Sequence, residues 1–117
     1  MTENVLLIKA KTFAVRIVNL YKHLCAAKSE YIMSKQLLRS GTSIGANISE
    51  ANYAQSKRDF IAKMQIALKE AAETEYWLNL LHETNYMDGK EFVSIIADCS
   101  EIIRLLVTTL KTSKANQ

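Results

Sequence analysis

Glu50, Glu70 and Glu73 are the side chains whose type and spacing come nearest to catalysis. Glu70 and Glu73 are three residues apart and share a helical face, and Glu50 lies on a neighbouring stretch that can approach them. Three converging carboxylates can hold a divalent ion. A carboxylate-bridged di-metal centre in a helical bundle, however, takes two Glu-x-x-His pairs with two further inward glutamates. Neither His23 nor His82 has a glutamate three residues before it. Carboxylates alone on a bundle surface are usually solvated or ion-paired, so neither a metal nor any other cofactor is expected. Nucleophilic catalysis fares no better, because no nucleophile elbow accompanies His23 or His82. Gly41 and Gly45 lack the Lys-Ser/Thr that completes a phosphate-binding loop. The Asn47-Ile48-Ser49 sequon is a chance match inside a helix. The expected class is a non-enzymatic binding protein.

Two sets of residues suit binding. Arg39, Ser40, Thr42, Ser43, Asn47 and Glu50 form a polar cluster, in which Ser43, Asn47 and Glu50 are spaced four and three apart beside an apolar seam. If partly buried, these groups need partners, and Glu70, Glu73 and Tyr76 are placed to supply them. The favoured role is a polar network that fixes helix register, ahead of direct ligand contact. The second set is basic: Lys9, Lys11, Arg16, Lys35, Arg39, Lys57 and Arg58, with Lys22 and Lys28 between them. Residues 1–58 hold nine Lys/Arg against three acids, a balance of +6, whereas 59–117 hold six against nine, −3. A basic patch attracts phosphates without reading base sequence. The same asymmetry would also suit head-to-tail contact between subunits.

The elements that position these groups are helices. At 117 residues the chain is sized for one domain with one core. It has no proline and three glycines, which leaves long helices uninterrupted and little turn chemistry for sheets. Phe13, Ile17, Leu20, Leu24 and Ala27 mark the seam of a helix from Val5 to about Ala27. Leu37, Gly41, Ile44, Ile48 and Ala51 mark a second, from about Ser34 to Ala54. Ser56 with Asp59 opens a third that runs to about Asn85, along Phe60, Met64, Ala67, Ala71, Thr74, Leu78 and Leu81, its apolar face widened by Ile61, Leu68, Tyr76 and Trp77. Asp88 with Glu91 opens the last, with Phe92, Ile96, Cys99, Ile103, Leu106 and Leu110 as its seam. This helix is expected to end near Lys111, with Ser113 to Gln117 frayed.

Such helices bury their faces most simply as an all-α, antiparallel up-down four-helix bundle. Gly41 and Gly45, four apart, face one way and would admit a neighbouring backbone; the alternative is a break at Gly41. Cys25 and Cys99 read as buried free thiols. The apolar run Val5 to Ile8 is too brief for a signal-peptide core or a membrane span, so the cytoplasm is the expected location and no membrane partner is expected.

The run Gln36 to Ala51, with Phe60 and the run Ile66 to Leu78, closely resembles the four-helix bundle proteins encoded in intervening sequences of 23S rRNA genes, which are ribosomal-protein-like. The resemblance covers nearly the whole chain and implies the same bundle. It also extends to the accessory protein of diversity-generating retroelements, a basic five-subunit ring that binds nucleic acid. By that similarity the implied assembly is a homo-oligomer, with a pentamer as first expectation, and the implied partner is RNA or DNA. Carried over by position, Arg39, Ser43, Asn47, Glu50, Glu70, Glu73 and Tyr76 are the family-motif residues. The competing expectation is a protein-interaction scaffold that binds another protein and no nucleic acid.

Overall fold

In the computed structural model, which describes residues 2–116 and side chains from residue 5 onward, four helices account for nearly the whole chain: α1 (Thr2–Lys28), α2 (Met33–Ala51), α3 (Lys57–Glu83) and α4 (Gly89–Ala115). A helix of 27 residues is about 40 Å long. It therefore fits only along the long axis of a molecule measuring 46 × 21 × 19 Å. Connections of four or five residues cannot return along that axis, so consecutive helices run antiparallel. Each helix packs on two others, α1 on α2 and α4, α3 on α2 and α4, and among the described residues neither diagonal pair brings its backbones close. This is an up-down bundle with α1 and α4 closing the square, and no strand occurs among the described residues.

The core follows the seams. Leu6, Ala10, Phe13, Ile17 and Leu24 of α1 meet Leu37, Ile44 and Ile48 of α2, while Met64, Ala71 and Leu78 of α3 meet Cys99, Ile102 and Leu106 of α4 in the same buried cluster. Each fully buried large side chain contributes roughly 1.5–3 kcal/mol. Helix α2 does not break at Gly41. A Cβ there would stand 2.8 Å from Ile17 Cγ2 and 2.9 Å from Cγ1, and one at Gly45 would lie 3.6 Å from Ala10 Cβ and 3.7 Å from the Ala10 backbone. The two glycines are the means by which α1 and α2 approach closely.

The helix ends explain where the observed boundaries depart from those expected. Ser56 accepts from the Asp59 N–H at 3.0 Å while Asp59 accepts from the Gln55 N–H, one residue before the cap, at 3.3 Å, a variant of the capping box. Asp88 accepts from the Glu91 N–H at 2.7 Å. Helix α2 stops at Ala51 rather than Ala54, because the N–H groups of Tyr53 and Ala54 turn back to the carbonyls of Glu50 and Ala51. Helix α4 does not fray after Lys111. It continues to Ala115 because Ser113 is buried against the base of the bundle; Gln117 lies outside the described residues. Asn85 takes a positive φ of 70° and lets the Tyr86 N–H reach the Leu81 carbonyl at 2.9 Å, so Asn85 makes the turn out of α3.

The cap of α2 is a buried carboxylate. Glu30 accepts from the N–H groups of Ile32, Met33 and Ser34 at 3.2, 3.1 and 2.7 Å, and the Ser34 hydroxyl donates back to the Glu30 carbonyl at 2.8 Å. Burial alone would raise its pKa, but the hydrogen bonds from Ser34, Met33 and Ile32 outweigh burial and hold it below the ordinary carboxylate value.

Two expected outcomes follow from these contacts. Gly41→Ala drives a Cβ into the branch point of Ile17 and should cost about 1–3 kcal/mol of overpacking, whereas Gly45→Ala meets ordinary contact distances and should gain up to about 1 kcal/mol from helix propensity; urea denaturation of the pair reads the opposite signs. Glu30→Gln should destabilise the bundle by about 1–2 kcal/mol at neutral pH. Since the folded-state pKa of Glu30 is lowered, its contribution is complete above the unfolded-state pKa. The gap between wild type and variant, read by denaturation across pH, should close as pH falls through the folded-state value.

Candidate nucleic-acid interface

The basic residues of the N-terminal half do not share one face. Lys9 and Arg16 lean across the α1–α4 seam, Lys9 Nζ lying 3.2 Å from Glu101 and Arg16 donating to Asp98 at 2.7 Å and to Ser94 at 3.1 Å. Arg39 crosses from α2 to α3 and donates to Glu70 at 3.2 Å and to Glu73 at 2.6 Å. Three of the nine cations of the first half are therefore matched by acids of the second half within the chain. Lys11, Lys35, Lys57 and Arg58 are exposed and make no ion pair among the described residues. Lys35 sits near the start of α2 and Lys57 at the start of α3, which the antiparallel topology puts at opposite ends.

At the end where α3 begins, α4 finishes, which puts Lys111 and Lys114 at the same end of the bundle as Lys57 and Arg58. All four are exposed. An open depression of about 520 Å³ at this end is lined by Ala51, Asn52, Ala54, Ser56, Lys57, Phe60 and Ser113, so that of the four cations Lys57 lines it directly. Asp59 is the acid nearest this set in the chain, and its carboxylate is engaged by the Gln55 N–H. Reading charge in halves of the sequence missed Lys111 and Lys114, because helix direction gathers them and sequence distance does not.

The motif cluster lies on the α2–α3 face and divides in two. Arg39, Glu70 and Glu73 converge, and Trp77 Nε1 donates to Glu73 at 3.0 Å. Glu50 instead accepts from Lys63 at 3.0 Å. Ser43 and Asn47 turn back to their own helix, donating to the carbonyls of Arg39 at 2.6 Å and Ser43 at 2.9 Å, so neither reaches α3. Tyr76 stands outside the network, exposed, with its ring edge-on to Trp77 at 5.1 Å between centroids. The interhelical contact in the core is one the cluster reading did not pair: the hydroxyls of Ser40 and Thr74 hydrogen-bond at 2.9 Å.

The family model for the 23S rRNA-intervening sequence protein matches residues 2–108. The chain belongs to that family. A structural neighbour is the crystal structure of a protein of unknown function from the S23 ribosomal protein family of Bacteroides thetaiotaomicron, which is 58% identical and superposes with a TM-score of 0.93, covering 95% of this chain and 99% of that one. No curated protein matches in sequence. Within the 23S rRNA-intervening sequence protein family match lie both the Arg39 cluster and Lys57 and Arg58, while Lys111 and Lys114 fall beyond its last residue.

In this family member the three glutamates first considered for chemistry are engaged with cations, Glu70 and Glu73 with Arg39 and Glu50 with Lys63. No group of three or more His, Cys, Asp or Glu among the described residues is arranged to hold a metal. The thiols are free, Cys99 buried and Cys25 only partly so, where burial of both was expected. Burial pushes the Cys99 thiol up to about 12, which keeps it protonated and inert. His82 stacks on Phe92 at 4.3 Å and faces the Met87 carbonyl at 3.2 Å, fastening the α3–α4 connection.

The Arg39 cluster holds Glu73 below the ordinary carboxylate value, through the hydrogen bond from Arg39 first and that from Trp77 second. Arg39→Met should raise the Glu73 pKa, read by NMR titration, and should cost no more than about 1 kcal/mol, because the pair is half exposed. That cost should appear above the unfolded-state pKa and vanish as pH falls through the folded-state pKa.

Proposed function

We propose that this protein is a non-catalytic, cytoplasmic, oligomeric accessory protein that binds nucleic acid, RNA foremost, by contacts to phosphates. The observation that carries the reading is the gathering of Lys57, Arg58, Lys111 and Lys114, exposed and without ion pairs among the described residues, at one end of the bundle. Lys9, Arg16 and Arg39, by contrast, are already paired with acids of the same chain. Four cations at one end attract a polyanion and do not discriminate base sequence. The family name, which ties these proteins to intervening sequences of 23S rRNA, supports RNA as the first ligand to test. Among the described residues no helix is long and apolar enough to cross a membrane.

Self-association is supported by the apolar residues left on the surface. Val5, Ile8 and Val15 lie along one exposed stripe of α1, and Ile66 and Tyr76 are exposed on α3. By the resemblance to the retroelement accessory protein, a pentamer is the first assembly to test. The same surfaces favour the second reading, a scaffold for another protein.

The test is binding of RNA and DNA across a salt series, with the mass in solution measured alongside. Lys57→Glu with Arg58→Glu should weaken RNA binding at least tenfold while leaving the helical circular dichroism unchanged. It should also flatten the dependence of log K on log salt by about 0.7 to 0.9 for each phosphate that is no longer neutralised. Unchanged affinity would remove this end of the bundle from the binding account, and absence of binding by the wild type at low salt would leave the protein scaffold as the reading.

A further inference from the structure

We infer that the cationic end of the bundle is a site for single-stranded nucleic acid, in which the ring of Tyr53 stacks on an unpaired base while Lys57, Arg58, Lys111 and Lys114 hold the flanking phosphates. The inference rests on the phosphate-binding reading and adds the ligand's strandedness to it. Tyr53 is 86% exposed, the most exposed of the large apolar and aromatic side chains. It does not sit on a slack loop. Its N–H donates to the Glu50 carbonyl at 3.0 Å, and the next residue, Ala54, donates to Ala51 at 3.1 Å, so the ring is mounted on a closed turn. Four residues later α3 begins, with its first N–H groups and the positive end of its dipole at the same place.

The surroundings fit a base and its phosphates. Asn52 and Ala54, on either side of Tyr53, both line the depression, which has Phe60 and Ser113 in its wall and Lys57 at its edge. A volume of about 520 Å³ lies within the range of about 300–1,000 Å³ typical of small-ligand clefts. A base is flat, and every base offers a π-face, so stacking on an aromatic beside a cationic track binds single strands with little sequence preference. A base inside a duplex is already stacked on its neighbours and cannot give its face to Tyr53. The same end should therefore hold duplex by phosphates alone and single strand by phosphates and stacking together.

Full-length protein is titrated, by fluorescence anisotropy, with a labelled single-stranded 12-mer of mixed sequence and with a blunt-ended duplex carrying the same number of phosphates. Tyr53→Ala should weaken single-strand binding by roughly 5- to 100-fold, the loss of one stacked base, and change duplex binding less than twofold. Tyr53→Phe should restore binding. Tyr31→Ala, which removes an exposed tyrosine at the opposite end, should behave as wild type. Wild-type single-strand affinity in Tyr53→Ala, with Lys57→Glu and Arg58→Glu still weakening binding, would overturn the stacking site and leave the phosphate reading standing. Equal losses on single strand and blunt-ended duplex would overturn it too, as Tyr53 would then act through the shape of this end. No binding of either probe by the wild type would overturn both.

Discussion

Where α1 and α2 meet, two residues lack the atom that would otherwise hold the helices apart. With only hydrogen at Gly41, Ile17 packs with its Cγ2 and Cγ1 carbons 2.8 and 2.9 Å from where a Cβ would stand, and Gly45 lies against the Ala10 backbone. The position of α2 in the bundle follows from that contact. Drawn against α1, α2 presents Ser40 to Thr74 in the core and Arg39 to Glu70 and Glu73 at the edge. Two glycines in mid-helix sacrifice roughly 1 kcal/mol each in helix propensity. The burial of Leu37, Ile44 and Ile48 exceeds that cost. The run Gln36 to Ala51, which carries the family resemblance, is in physical terms this packing device with its polar flank.

Electrostatics divides the surface into charge that is matched within the chain and charge that is not. Lys9 with Glu101, Arg16 with Asp98, and Arg39 with Glu70 and Glu73 bridge helices far apart in sequence. Exposed pairs of this kind contribute little stability singly. Their consequence is that these cations are not available to a polyanion without breaking an ion pair. Of the cations left without a partner among the described residues, Lys57, Arg58, Lys111 and Lys114 fall where α3 starts and α4 stops, while Lys11 and Lys35 lie elsewhere, so the direction of four helices, set by short connections, brings together charges from opposite halves of the sequence.

The fold was legible because each helix carries a seam of the right period, and because Ser56 and Asp88 announce two of the starts. The start of α2 was placed within one residue, but its cap was not legible, since Glu30 accepts from three N–H groups from outside the helix, a role serine, threonine and aspartate more often fill. Ser113 looked like a frayed tail because its burial depends on the base of the neighbouring helix. Within the motif, Arg39, Glu70 and Glu73 meet as their spacing implied. Ser43 and Asn47 lie beside the seam yet find nearer acceptors one turn back, a competition that spacing alone does not reveal. Lys111 and Lys114 were invisible as partners of Lys57 until the antiparallel order was known.

The two ends of the bundle are chemically unlike, and that gives the molecule a direction. Copies associated side by side in a ring with their long axes parallel to the symmetry axis would all present the cationic end on the same rim. A strand bound to one copy would then hold its next segment at high effective concentration before the neighbour, and weak single sites would combine into strong, multivalent attachment. Copies related by a twofold axis perpendicular to the bundle would place those ends on opposite sides, and each would act alone on a short strand. On the proposed reading, the symmetry of assembly, more than the affinity of any one copy, would set how long a strand an assembly could hold.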